Sequence, residues 1–199
     1  TIVANSSAIY SLSLIQANHN HIKANVFSGD GKGIFIVKSQ SNNIVNNIIN
    51  TTDFHIQSAS SSKNNVTNST LNRTKLVSAI DDYLYINQYV EINVTNSTGQ
   101  GIQNATVNTY DVLGSLDNTS STSSSGIAIA ELTEYYHRNN ITYYLTNNHS
   151  VKVSKNGFTD NETGINIINL GSTTRLNLTL IKIICGTELT TNGSLGTNL

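Results

Sequence analysis

The chain has no proline, no methionine and no tryptophan, and it has a single cysteine and few charges. Each scarcity excludes something. Without proline, every turn must be made by Gly, Asn, Asp or Ser, which reach unusual backbone angles or bond their own backbone. The lone thiol, Cys185, excludes an internal disulfide. In an exported chain it is either buried and inert or open to an intermolecular bond. Charged residues make up 12% of the 199 and sum to −1. That balance excludes the basic field that binds nucleic acid and the polybasic patch that binds anionic lipid. No apolar stretch approaches the ~20 residues of a spanning helix. The missing initiator methionine, with no basic and then apolar leader, implies that Thr1 is a processed start.

What remains is apolar residue enough to fold, 37% of the chain, in a background of Asn, Ser and Thr. Solubility must therefore come from uncharged polar groups, and fourteen Asn-x-Ser/Thr tripeptides suggest how. They begin at Asn5, Asn50, Asn65, Asn68, Asn72, Asn93, Asn96, Asn104, Asn118, Asn140, Asn148, Asn161, Asn177 and Asn192. Shuffling 30 Asn, 24 Ser and 24 Thr would give roughly seven. The twofold excess is expected of a densely N-glycosylated chain at a cell surface, where covalent sugar supplies the hydration that charge does not.

The first half repeats every 22 residues. Leu12, Ile34 and Ile56 fall in one column, Ile22, Ile44 and Val66 in a second, and Phe27, Ile49 and Leu71 in a third. Polar columns accompany them: Asn20, Asn42 and Asn64; Asn25, Asn47 and Ser69. A fixed period of this size marks a solenoid. The segments are short, β-branched and bounded by Asn, Ser and Gly, so the unit is strands and turns. We therefore predict a short parallel β-helix over 1–87, its apolar columns inside and its Asn columns bonded along the axis as amide ladders. The apolar columns weaken towards Ser58 and Ser78, and the end of such a stack needs a cap.

From about residue 88 the register stops, and some seven strands follow with turn signals every 8 to 12 residues. That spacing predicts a β-sandwich over 88–184, with 185–199 as an extended tail or linker. The runs Gly101-Ile102-Gln103-Asn104-Ala105-Thr106-Val107, Gly114, Gly126-Ile127-Ala128 and Val151-Lys152-Val153-Ser154-Lys155-Asn156-Gly157-Phe158 resemble Ig-like, carboxypeptidase-regulatory-like modules. Such modules follow parallel β-helix repeats in adhesin-like and S-layer-like surface proteins of archaea. The resemblance implies an all-β chain, a short parallel β-helix followed by an Ig-like β-sandwich, with a cell-surface address and no catalytic residues.

Chemistry is sparse. His19 and His21 could share one strand face, but two ligands are too few for a metal site, and His55, His137 and His149 follow no regular spacing. A polysaccharide-degrading enzyme would need paired carboxylates in a groove. The solenoid half offers only Asp30, Asp53, Asp81 and Asp82, and the adjacent pair would face opposite ways on a strand. The glycine-rich run from Ser28 to Gly33 lacks the spacing and following helix of a phosphate loop, so it reads as a rung turn. Tyr83, Tyr85 and Tyr89, with Tyr135, Tyr136, Tyr143 and Tyr144, suit either packing between the halves or a carbohydrate platform.

The expected function is thus non-enzymatic, without cofactor or metal: a structural subunit of an extracellular filament or lattice, partnered by copies of itself. Assembly would run through stacked ends or donated strands, with residues 1–10 and Leu176–Ile184 as donors. The alternative is an adhesin or carbohydrate-binding module.

Overall fold

The computed structural model describes residues 2–4, 10–80, 82–145, 148–167 and 174–183. Asn5, Asp81, Asn192, Cys185 and the expected tail over 185–199 lie outside them. Apart from one 3-10 turn at Arg73–Lys75, the regular structure described is strand.

The first half is a parallel β-solenoid of about three turns. One sheet stacks β1 (Ile2–Ala4), β4 (Val26–Gly29) and β7 (Ile48–Thr51); a second stacks β2 (Tyr10–Ile15), β5 (Lys32–Val37), β8 (Ile56–Ala59) and β10 (Leu76–Ser78). The third stacks β3 (His21–Lys23), β6 (Asn43–Val45), β9 (Asn64–Thr67) and β11 (Leu84–Thr95). Registers follow the repeat read from the sequence: Leu12 pairs with Ile34 and Ile34 with Ile56, while Ile22 pairs with Ile44 and Ile44 with Val66. Alternation turns the apolar columns of each sheet inwards. Phe27, Ile34, Ile36, Ile44, Ile49, Ile56, Val66, Leu84 and Ile86 form a core, each at most 2% exposed. Every such side chain contributes roughly 1.5–3 kcal/mol by leaving water.

The corners explain the polar columns. Nine non-glycine residues of the solenoid have positive φ between 46° and 59°, in three columns: Gln16, Lys38 and Ser60; His19, Ser41 and Lys63; Ala24, Asn46 and Asn68. After each of these left-handed turns the next N–H lies outside the sheet ladder and needs another acceptor. At seven of the nine a side chain from the next rung supplies it, whereas Asn64 N donates to the Tyr83 carbonyl. Asn42 Oδ1 accepts from Asn20 N at 2.9 Å and Asn64 Oδ1 from Asn42 N at 3.1 Å. Asn47 Oδ1 accepts from Asn25 N, and Ser69 Oγ from Asn47 N. The third corner uses Ser39, Ser61 and Asp82 in the same way, towards Ala17, Ser39 and Ser61. Both expected columns bond along the axis, amide to amide for Asn20, Asn42 and Asn64 and through backbone N–H groups for Asn25, Asn47 and Ser69, and the serine ladder ending on Asp82 is an addition.

Gly33 marks a close approach between rungs: a Cβ there would stand 2.2 Å from the His55 carbonyl oxygen. The glycine-rich run is thus a rung turn. Ser58 and Ser78, the weak points of the apolar columns, are both buried and bonded. Ser58 Oγ donates to Asp82, while Ser78 N donates to Asn140 Oδ1 at 3.0 Å from beyond the solenoid.

β11 joins the halves and runs straight through position 87/88, where the repeat register ends. Leu84–Asn87 pair in parallel with β9, Val90–Thr95 pair in parallel with β18 (Thr174–Thr179), and the opposite edge pairs antiparallel with β14 (Ile127–Arg138). Glu134 is the extra residue of a β-bulge on β14, between the partners of Ile86 and Asn87. β15 (Ile141–Tyr144) adds an edge. A second, antiparallel sheet runs β13 (Leu116–Ser121), β12 (Thr106–Tyr110), β16 (His149–Ser154) and β17 (Asn161–Ile165). The two sheets enclose one apolar core, with Val90, Ile92, Ala130 and Leu132 from one side and Val107, Val151 and Val153 from the other.

Candidate binding groove

Strand registers carry one row of residues across six strands of the large sheet: His21, Asn43, Asn65, Tyr85, Tyr136 and Tyr143. The amides stand on the solenoid and the rings on the strands beyond it. Tyr136 stacks on Tyr143 at 4.7 Å, Tyr83 lies 6.0 Å from Tyr85, and the Arg138 guanidinium sits 4.7 Å from the Tyr83 ring. Burial, with Tyr83 and Tyr136 alongside, raises the Tyr85 hydroxyl above its ordinary value. Of the expected tyrosines, Tyr83, Tyr85, Tyr136 and Tyr143 share this array. Tyr89 stands further along β11, where burial and Glu131 raise its hydroxyl as well.

Where β13 passes beside this sheet, an open groove of about 450 Å³ forms, lined by Lys63, Asn65, Tyr85, Asn87, Asp117, Asn118, Glu131 and Thr133. Glu131 is fixed from one side: its Oε1 accepts from Asn87 Nδ2 at 2.7 Å and from Thr67 Oγ1 at 3.0 Å. Asn87 is 6% exposed, and its Oδ1 has no hydrogen-bond partner. Partial desolvation by the groove walls raises the Asp117 carboxyl above the usual carboxylate value. Asp111 and Glu131 add to that rise, and His149 opposes it. Neither Lys63 nor Asp117 is isolated from solvent, so the groove presents one cation and two carboxylates to water.

These groups escaped the sequence reading because no spacing links them. Lys63 is itself a left-handed solenoid corner, Asp117 stands in β13 and Glu131 in β14; only the β11–β14 pairing and the path of β13 unite them.

The sequon asparagines differ in exposure. Of the twelve described, Asn50, Asn72, Asn104, Asn140, Asn148 and Asn177 are exposed, and Asn65, Asn68, Asn93, Asn96, Asn118 and Asn161 are half-buried. The buried asparagines, Asn42, Asn47, Asn64 and Asn87, all stand outside sequons. Asn72 and Asn96 sit in local turns in which the sequon threonine donates both its N–H and its hydroxyl to the Asn Oδ1, at 2.8–3.0 Å. Asn118 lies within β13. Asn93 Nδ2 donates to Asn177 Oδ1 at 3.1 Å, so these two sequons crowd each other.

Other expected features sit as follows. His19 occupies a left-handed corner while His21 lies in β3, so the two do not alternate on one strand. His21 occupies the column of Asn43 and Asn65. Among the described residues, no group of three or more His, Cys, Asp or Glu side chains could hold a metal. The described parts of the expected donor segments are already engaged within their own chain. Ile2–Ala4 pair with β4, Thr174–Thr179 with β11, and Ile181 and Lys182 meet Thr159 and Phe158. No helix of the described residues is long and apolar enough to cross a membrane.

No protein-family model matches the chain, and no curated protein matches it. Among solved structures, the Bacillus anthracis TIE protein is similar over 53% of this chain and 18% of its own, at 16% identity and a TM-score of 0.32.

Proposed function

We propose that the chain is an N-glycosylated structural unit of an extracellular surface assembly, of the adhesin-like or S-layer-like kind that its motifs resemble. The solenoid, taken as residues 1–87, acts as a stiff shaft, and the strands over 88–184 form an Ig-like module at its end. One observation carries this reading: none of the twelve described sequon asparagines is buried, although four other asparagines are. A chain that folds its ladder asparagines inwards and leaves its acceptors in reach of solvent is compatible with heavy glycosylation without loss of the core.

The assembly mode favoured is rung stacking rather than strand donation, since the described parts of the segments able to donate are already paired. The described first-rung strands β2 and β3 each end a sheet ladder, with one edge unpaired among the described residues. A second copy, or further rungs, would satisfy those backbone groups.

Expression in a glycosylating host followed by intact mass and negative-stain imaging tests the proposal. We expect several hexose-scale increments above 21.5 kDa and ordered polymers or sheets. A bare polypeptide mass would remove the glycoprotein part. Dispersed monomers under all conditions would remove the assembly part.

A further inference from the structure

We infer that the groove between β13 and the large sheet binds the hydroxyl-rich ring of a neutral or amino sugar. This does not rest on the assembly reading; it rests on the groove alone.

The argument starts at Asn87. Its amide orientation is fixed, because Nδ2 donates to Glu131, a carboxylate that can only accept. Its Oδ1 is therefore an acceptor, buried and without a partner, of the kind that native proteins rarely leave unmet. The missing group is a donor. Beside it stand Glu131, with Oε1 alone engaged, and Asp117, which makes no hydrogen bond or ion pair among the described residues. Tyr85 adds an aromatic surface to the same wall, which suits the apolar face of a sugar ring.

A bare divalent cation would also seek oxygen. The groove opposes it in two ways. The Lys63 ammonium lines the same space, and about 450 Å³ is the size of a small-molecule site, within the ~300–1,000 Å³ usual for one. A sugar meets both conditions, since its hydroxyls donate to Asn87, Glu131 and Asp117 and accept from Lys63. Two carboxylates against one ammonium disfavour uronic acids. The sugar could be free or could be the chain's own N-glycan, because Asn65 and Asn118 line the groove as well.

The test uses the full chain made without glycans and observed by NMR. Cellobiose and chitobiose are added in turn, then digalacturonate, then calcium chloride. We expect at least one neutral or amino disaccharide to shift the Asn87 side-chain amide and the Tyr85 ring, with digalacturonate at least tenfold weaker. Asp117→Ala, at a solvent-facing position with no bonds to lose, should weaken binding about fivefold, the factor of one hydrogen bond. Tyr85→Ala should weaken it comparably. No shift at Asn87 or Tyr85 with either neutral saccharide overturns the proposal, as does a response to calcium alone or wild-type binding by both variants. A glycosylated preparation separates the sources. If the chain's own sugar is the occupant, the Asn87 signal is already displaced there and returns in Asn65→Gln or Asn118→Gln; if the sugar is external, it moves only on addition.

Discussion

His55 shows how one side chain ties the repeat to pH. It is 4% exposed, and its Nδ1 accepts the backbone N–H of Asn72 at 2.8 Å, so the ring must be neutral at that nitrogen. Burial holds its pKa below 6.5 and the Lys75 ammonium lowers it further, against a bond to the Thr51 backbone. Burial also lowers His137, with Asn140 opposing. For a base whose folded value is depressed, both states are neutral above 6.5 and the stabilising contact is fully present. As pH falls below 6.5 the unfolded chain takes protons first, and stability is lost until the folded values are passed. The melting temperature should therefore be level near neutrality and fall on acidification. Asn at position 55 places an acceptor near Nδ1 and cannot titrate. His55→Asn should flatten part of the fall while staying within about 1 kcal/mol of the parent at neutral pH. His55→Ala should lose about 2–4 kcal/mol, from the cavity and the orphaned N–H. A melting series over pH with the three proteins checks this, and an acid slope unchanged in His55→Asn would refute the assignment.

At the scale of elements, the ladders decide the shape of each corner. Asn42 is fully buried: its Oδ1 takes both Asn20 N and Asn20 Nδ2, and its Nδ2 reaches Ala17 O and Asn64 Oδ1. Asn20 is the exposed end of the same ladder. Asn42→Ala should cost about 3 kcal/mol, because it strands several groups away from water, whereas Asn20→Ala should cost less than about 1 kcal/mol. Urea unfolding of the pair measures the difference; equal effects would mean that the ladder carries no special weight. These ladders were legible in the sequence because a strict period repeats the same chemistry at the same place. The left-handed corners were not, since Gln, His, Lys, Ala and Ser there carry no glycine-like signature. The groove was hidden for a related reason. Asn87 closes the last rung, but Asp117 and Glu131 belong to no repeat, and non-local pairing that no local pattern encodes brings the three together.

The whole molecule hangs on β11. Its first residues, Leu84 and Ile86, complete the solenoid core, and Val90, Ile92 and Val94 of the same strand enter the second core. Gln88 between them is 1% exposed and donates to Glu134, the extra residue of the bulge on β14, at 2.7 Å. A strand cannot detach from one sheet while its continuous backbone stays ordered in the other without breaking this buried middle. β14 adds a second tie, since its turn at Asn140 exchanges bonds with Ser78. The two cores should therefore unfold together. We expect one transition in calorimetry, coincident by far-ultraviolet circular dichroism and by tyrosine fluorescence. A fragment ending at Asn87 would keep the solenoid rungs but lose β14, exposing the edge of its last strand and the flank of Leu84 and Ile86. It should aggregate or melt without cooperativity. Two resolved transitions in the full chain, or a monomeric 1–87 fragment with its own sharp melt, would show instead that β11 is a shared boundary without energetic coupling.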